Sequence, residues 1–489
     1  MINNIIYKNS LYNAIINGAK AVINQERYLN EINVFPVKDA DTGSNMTSLM
    51  KSILDRSKIE ETLKDTLESI SNAALIGSKG NSGIIFSQFI YGFTKDIKDE
   101  YIDDISLVKQ LEKGYNYAYK AIDKPVEGTM ITLMRSLYEI LSIKKHTYHS
   151  FEDYLIKTNE ALKTELNLTT NQLQILKKYN VVDAGALAFV IFIDGFINSV
   201  INKDEVKIEN NNNEIINNYD DLHNHDEINY RYCTEVLIET KLSNEDLKSK
   251  INKFGDSLVV GSNEQFTKIH IHTSKPSLLI EEVSKHAKIV TTKVDDMINQ
   301  YRISKNKNND ICILTDSIAD ISKTIIDEKG IQVFPTSINV DGTIYYDKTT
   351  IKNNQLLKLI SKSETFPKTS SPNTLTVIEV LEYLKKYFKK IIVITVSSKM
   401  SSTYNVFKNA KAYLKTEKIE IIDSKLNSVS QGLLVLDAVK QVEQKISYEN
   451  IINNINRTIN DTNILVRVKS LDNMVKGGRI SKGLGRIGK

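Results

Sequence analysis

Asp39 and Asp41 stand one residue apart in NVFPVKDADTGSNM (33–46), between an apolar strand-like run and a small polar cluster. Two carboxylates so spaced in a loop aim at one point. Hard, oxygen-ligated ions such as Mg2+ want that arrangement, and a bound nucleotide supplies further oxygens. Thr42, Gly43, Ser44 and Asn45 then open a helix, whose free N–H groups favour phosphate. Acids for a metal beside a helix start for phosphate point to phosphoryl transfer. On spacing alone, the same pattern also fits a solvated turn.

A second stretch, GSKGNSGIIFSQFIYGF (77–93), sets three glycines and two serines before an apolar helical run. Glycine lets backbone approach a phosphate closely, and successive N–H groups can cradle it. The other reading is a flexible helix–helix turn. It is not a P-loop, because no G-x-x-x-x-G-K-[ST] occurs in it. KPVEGTMITLMR (124–135) and VVDAG (181–185) are two further loop-to-helix junctions with an acid beside glycine.

These four segments, in this order from residue 33 to residue 185, resemble the DhaL (DAK2) family of nucleotide-binding kinase domains. The match is specific to the N-terminal part of fatty acid kinase A-type proteins. The resemblance implies an all-α antiparallel helical barrel with ATP and Mg2+ at one end. Asp39 and Asp41 match the family's metal-binding, catalytic acids, and Asn33 lies near where sugar-kinase relatives carry another acid. Thr42, Ser44, Asn45, Gly80, Asn81, Ser82 and Gly83 are the expected ATP contacts, with Thr129 and Asp183 as further ones. The chain departs from the family pattern at Lys38, Ala40, Ser78, Lys79 and Ala186. Lys38 puts a cation beside the metal acids, where it competes with the ion or partly replaces it.

A chain of 489 residues is too long for one core, so two or three domains are expected. Its 41% hydrophobic and 25% charged residues are ordinary for a soluble protein. A net charge of +4 over this length is slight and argues neither for nucleic acid nor for an acidic substrate, so no nucleic-acid partner is expected. Cys233 and Cys312 are too few for a disulfide framework, which fits a reducing compartment. No apolar run approaches the ~20 residues that span a bilayer, and the N-terminus lacks a signal-peptide pattern. The expected location is cytoplasmic, with transient contact at a membrane surface.

Apolar residues recur at three and four through residues 1–200, as in LYNAIINGAKAVINQ and DTLESISNAALIG, so helices should position the loops above. Residues 201–228 are Asn-rich and polar and read as a linker, with His223 and His225 as solvated linker residues. Residues 229–305 read as a small α+β domain: strands YRYCTEVLIET, SLVVGS and KIHIHTS, and a helix capped at Ser243 or Asn244. Strand periodicity puts His270 and His272 on one face, and Cys233 on an adjacent strand would complete three ligands suited to Zn2+. The alternative is two polar-face histidines and a buried cysteine. This segment resembles the middle domain of fatty acid kinase A-type proteins through YCTE, GDS-x-VV and K-x-H-x-HT. The resemblance implies a zinc site at Cys233, His270 and His272, with His286 as a less secure fourth ligand. Self-association through this domain, giving a homodimer, is expected.

From residue 308 to 489, strands alternate with helices. ICILTDS, IIVITVSS and IEIIDS end in hydroxyls and acids, in an α/β pattern with a mostly parallel sheet. In KTSSP (368–372), Ser371 reads as an N-cap and Pro372 as a first-turn residue. Thr369 and Ser370 would then stand beside a helix N-terminus, where hydroxyls can hold a carboxylate. TDS-x-AD, VFP, DGTIYYD, KTSSP, SSKMSSTYN and KGGRIS together resemble the DegV family of fatty acid-binding proteins. The resemblance implies an acyl-chain pocket, with the carboxylate near Thr369, Ser370, Ser397 and Ser398. Ser402 replaces the family's usual glycine. The family continues beyond the position of Lys489 to a histidine of the head-group site, so the domain is expected to be incomplete.

The expected architecture is therefore multidomain: helical barrel, small α+β domain, α/β DegV-like domain. The expected function is ATP-dependent phosphorylation of a fatty acid carboxylate, with a separate DegV-type protein as a further partner. The alternatives are a kinase for a small carbonyl sugar such as dihydroxyacetone, and a non-catalytic lipid-binding or regulatory protein.

Overall fold

A computed structural model describes residues 5–35, 41–144, 149–202, 206–208, 228–305, 310–363, 365–465, 467, 471–477 and 480–481. Lys38, Asp39, Ala40, His223, His225 and the last residues of the chain lie outside the described residues. The chain divides into two compact units, Met1–Lys275 with Glu282–Ile289, and Pro276–Glu281 with Val290–Lys489. The helical segment and most of the small α+β segment thus form one unit.

The first unit opens with β1 (Ile5–Tyr7), α1 (Lys8–Asn24), α2 (Glu26–Glu31), α3 (Thr42–Arg56), α4 (Leu63–Gly77) and α5 (Gly80–Thr94). It continues with β2 (Tyr101–Asp103), α6 (Asp104–Ala121), α7 (Met130–Lys144), α8 (Phe151–Gln172), α9 (Gln174–Tyr179) and α10 (Ala184–Asn202). Local chemistry sets several of these starts. Thr62 accepts from Asp65 N, Asp103 and Ser106 form a reciprocal capping box, and Ser150 accepts from Asp153 N. One apolar core joins the helices, with Leu11, Ile15, Met46, Met50, Leu67, Phe86, Leu133, Leu162 and Phe189 among its buried members.

One sequence expectation needs correction. α10 is by length and composition long and apolar enough to cross a membrane. Two-thirds of it is buried, and Phe189, Phe192 and Ile193 belong to the shared core. A helix apolar on all sides is what a central core position requires. It also carries Asp194, which accepts from Asn159 Nδ2 at 2.6 Å.

The α+β segment contains β3 (Tyr232–Glu239), α11 (Asn244–Ile251), β4 (Gly255–Ser262), β5 (Thr267–Thr273), α12 (Pro276–Ser284) and β6 (Lys288–Asp296), in sheet order β4-β5-β3-β6. Ser243 caps α11 by accepting from Asp246 N. Every residue of β5 is buried, so both faces of this central strand are covered.

The second unit contains α13 (Met297–Lys305), β7 (Ile311–Asp316), α14 (Lys323–Lys329), β8 (Gln332–Phe334), β9 (Ser337–Val340), β10 (Thr343–Tyr346), α15 (Asn353–Ile360) and β11 (Lys368–Ser370). It ends with α16 (Thr374–Tyr387), β12 (Lys390–Thr395), α17 (Thr403–Leu414), β13 (Ile419–Asp423), α18 (Ser428–Glu443), α19 (Tyr448–Asp461) and α20 (Asp472–Lys476). β13-β12-β7-β8 form a parallel sheet. Leu314, Val393 and Ile421 face Val377, Leu381 and Phe407 on one side; Ile313, Ile392 and Ile422 face Leu434, Val435 and Ile455 on the other. A sheet covered on both faces explains the near-continuous apolar runs. The cap of α16 is Asn373, accepting from Leu375 N, rather than Ser371. The helix starts two residues later than Pro372 suggests.

Candidate nucleotide and metal site

The four loop-to-helix junctions converge. Asp41 immediately precedes α3, and its carbonyl accepts from Asn45 N at 2.8 Å. Gly80 opens α5 with φ +61°, and a Cβ there would lie 2.4 Å from Asn45 Nδ2. A Cβ on Gly185 would lie 3.1 Å from the Met130 methyl, 3.3 Å from Asp183 Oδ1 and 3.5 Å from Ser82 Oγ. The starts of α3, α5, α7 and α10 are therefore neighbours. Helix N-termini gathered in this way favour anions.

Asp183 is the polar knot of the cluster. It is buried, and backbone N–H groups of Ala186, Met130 and Gly185 all donate to it, so one carboxylate ties the start of α7 to that of α10. Burial pushes its pKa up to about 6 despite those donors. Glu127 secures the preceding loop: Arg135 Nη1 and Nη2 donate to its two oxygens at 2.7 and 2.8 Å, and Thr132 Oγ1 donates at 2.5 Å. Against the upward push of burial, these donors hold Glu127 below the usual carboxylate range. Thr129 Oγ1 donates to Val126 O at 2.7 Å. Asn81 Oδ1 is buried without a hydrogen-bond partner, and Gly83 N donates to Lys79 O at 3.2 Å. Thr42 is buried at the start of α3. Ser44 is held elsewhere: its hydroxyl donates to Glu26 and its N–H to Asn30, both on α2. Asp41 brings a half-buried hard oxygen donor suited to Mg2+.

On the middle sheet, register pairs Cys233 with His272 and Glu235 with His270 across β3 and β5. The ligand atoms of Cys233, His270 and His272 lie within 4.8 Å of one another. Cys233 Sγ is 3.7 Å from His270 Nδ1, and His270 Nε2 is buried without a partner. Burial, then the neighbouring His270, pushes the His272 pKa down to about 3, which keeps its imidazole neutral as a metal ligand must be. A sulfur and two imidazoles fit Zn2+. His286 does not join them. It follows α12 and meets Glu282 Oε1 at 3.3 Å.

Two residues not singled out from the sequence join sheet and loop. Glu235 Oε1 accepts from Gly80 N at 2.6 Å, and Lys268 Nζ donates to Ser78 O. Period two was the available signal: Glu235 is two residues from Cys233, and Lys268 two from His270. Further contacts fasten the sheet to the helices. Gln88 Nε2 donates to Ser262 O, Asp123 N to Leu258 O, and Ile84, Ala121 and Val259 form a buried apolar contact.

In the second unit, the β11–α16 turn and the β12–α17 loop meet where Ser371 Oγ contacts Ser402 Oγ. Ser397 is buried, and its hydroxyl accepts from Lys399 N at 3.3 Å. Ser398 gives both its hydroxyl and its N–H to Asp423. Thr369 and Ser370 lie on β11, opposite Ile338 and Ser337.

Family models match along the chain: the DAK2 domain over residues 36–198, the middle domain of fatty acid kinase A-like proteins over 229–304, and the DegV family of uncharacterised proteins over 310–489. The chain joins these three domains in one polypeptide. The first two matches suggest a kinase-type protein. An uncharacterized protein of Staphylococcus aureus (strain USA300) is 31% identical over 307 residues, covering 59% of this chain and 55% of that protein. The chain thus spans about half the length of the curated relatives it matches. Among solved structures, a DegV family protein from Thermus thermophilus, described for its fatty acid binding, is 24% identical with a TM-score of 0.35, covering 37% of this chain and 64% of that one. DegV from Bacillus subtilis, described as a fatty acid binding protein, is 24% identical with a TM-score of 0.33, covering 37% and 65%. Scores this low carry no argument about function.

Proposed function

We propose that this protein transfers the γ-phosphoryl group of ATP to a fatty acid carboxylate. The observation that carries this reading is the convergence of four helix starts around Gly80, Ser82, Asp183 and Asp41, with a Cys–His–His cluster on the sheet fastened to the same turn. The family matches support it.

The helix starts would bind the phosphates, with Asn81 and Ser82 of the Gly80–Gly83 turn contributing and orienting them, while the Gly80 and Gly83 N–H groups hold the turn through Glu235 and Lys79. The carboxylate oxygen attacks the γ-phosphorus. A new C–O–P linkage forms, the β–γ bridging P–O bond breaks, and ADP leaves with that electron pair. A carboxylate is already ionised at neutral pH, so no general base is needed. Asp39 and Asp41 would hold Mg2+, which when bound offsets the charge on the phosphates. Cys233, His270 and His272 would hold Zn2+, whose contribution would be to fix the sheet that supports the loop. Thr369 and Ser397 would hold the carboxylate in the DegV domain. A separate DegV-type protein would be an alternative carrier. The reaction would take place in the cytoplasm, with the fatty acid collected at a membrane surface.

The test is acyl phosphate trapped by hydroxylamine from the purified chain with ATP, Mg2+ and a long-chain fatty acid, with and without an added DegV-type carrier. An ATP- and fatty acid-dependent hydroxamate that disappears in Asp41→Asn is the expected result. Phosphorylation of dihydroxyacetone instead would move the reading to a sugar kinase. Binding of fatty acid without any product, with or without the carrier, would leave a lipid-binding protein.

A further inference from the structure

The face of the middle sheet that turns toward α5 carries five chemistry-bearing residues in two rows. β3 contributes Cys233 and Glu235; β5 contributes Lys268, His270 and His272. Three of them form the metal cluster, and the other two reach the glycine-rich turn. Glu235 Oε1 accepts from Gly80 N at 2.6 Å and lies 3.7 Å from His270 Nδ1. Lys268 Nζ donates to Ser78 O and lies 3.9 Å from Glu235 Oε2. Glu235 and Lys268 keep only 6% and 8% of their surface exposed. Burying two charges is costly unless each is paired and hydrogen-bonded. Here their partners include each other, the two backbone groups that define the turn and, for Glu235, the His270 ring. One side chain, Glu235, therefore touches both the turn and a candidate metal ligand.

We propose that Glu235 and Lys268 are positioning residues that clamp the Ser78–Gly80 turn, so that metal at Cys233, His270 and His272 and nucleotide at the turn bind cooperatively. This rests on the reading that Gly80–Gly83 holds nucleotide. Metal binding fixes the His270 ring, the ring fixes the Glu235 carboxylate, and the carboxylate fixes the Gly80 N–H. Asn45 packs against Gly80, which limits how far the turn can shift. Coupling between two sites is reciprocal: the factor by which metal tightens nucleotide is the factor by which nucleotide tightens metal.

The experiment uses the full chain with Co2+ as the metal probe and ADP–Mg2+ as the nucleotide probe. Co2+ affinity is read from its thiolate absorption, ADP affinity by calorimetry, and motion of the turn by amide hydrogen exchange in residues 78–83. In the wild type, Co2+ should tighten ADP about tenfold, ADP should tighten Co2+ equally, and Co2+ alone should slow exchange at Gly80. In Glu235→Ala and Lys268→Met, Co2+ should still bind while the coupling falls to within about twofold of unity. Glu235→Gln, which keeps an acceptor for Gly80 and the side chain's shape, should retain part of it. Unchanged coupling in Glu235→Ala, or bound Co2+ without any effect on Gly80 exchange in the wild type, would overturn the clamp. Slowed exchange that depends on Glu235, in a chain that binds no ADP, would support the clamp and remove the nucleotide reading alone.

Discussion

At the scale of single residues, Asp183 and Gly80 carry the sharpest consequences. Asp183 has a folded pKa of about 6 because burial outweighs three backbone donors. The unfolded value is about 3.9. The folded state therefore binds this proton more tightly, and stability from this group falls as pH rises from about 4 to about 6, then stays level. Asp183→Asn should flatten that part of the profile. It should stabilise the first unit by roughly 1–2 kcal/mol at pH 7 and by nothing at pH 4, since the amide keeps one acceptor but cannot ionise. Denaturant melts at four or five pH values read this directly, and parallel curves for the two proteins would sink it. Gly80 makes the opposite kind of prediction. Its φ of +61° and the Asn45 amide against it leave no room for a methyl group. Gly80→Ala should cost about 1–3 kcal/mol and weaken ADP binding by more than tenfold. A variant as stable and as tight as wild type would mean that the turn relaxes, with Asn45 swinging away.

At the scale of elements, the candidate metal cluster of Cys233, His270 and His272 depends on the register of β3 against β5. Only when Cys233 faces His272 do the three ligands meet. Co2+ added to the metal-free chain should give one equivalent of thiolate-to-metal absorption, absent in Cys233→Ser, and chelation should lower the melting temperature of the first unit by several degrees. Equal absorption in Cys233→Ser would assign the metal to other ligands. Much of this site could be read from the chain. The period of two in KIHIHT put both histidines on one face, and glycines at loop-to-helix junctions marked the turns near Asn45 and Gly185. Glu235 and Lys268 were hidden for a physical reason. An alternating strand does not say what covers its face, and these two are defined by a helix start 155 and 190 residues away in the chain. Ser371 failed in the other direction. Local pattern made it a natural helix cap, while Asn373 takes that role and a tertiary contact with Ser402 claims the Ser371 hydroxyl. α10 is long and apolar enough to cross a membrane even though it carries Asp194, whose carboxylate Asn159 satisfies in the fold.

At the scale of the whole molecule, the question is whether phosphoryl donor and acyl acceptor meet within one chain. Joining them by a linker replaces a bimolecular encounter with an effective concentration of ~mM, provided that the geometry lets the sites meet. Two inactive chains can decide this. Asp41→Asn should remove phosphoryl transfer while leaving Thr369 and Ser397 intact. Ser397→Ala should weaken carboxylate binding while leaving the four helix starts untouched. Each alone should form little hydroxamate from ATP and fatty acid. If transfer runs within a chain, an equimolar mixture stays as silent as its parts, because no molecule carries both working domains. If one chain's DegV domain serves another's kinase domain, the mixture recovers about a quarter of the wild-type rate at equal total protein, and the recovered activity falls with the square of protein concentration on dilution. A mixture that recovers activity without that concentration dependence would point to stable dimers exchanging substrate across their partners, and the self-association expected of the middle sheet would then be part of catalysis.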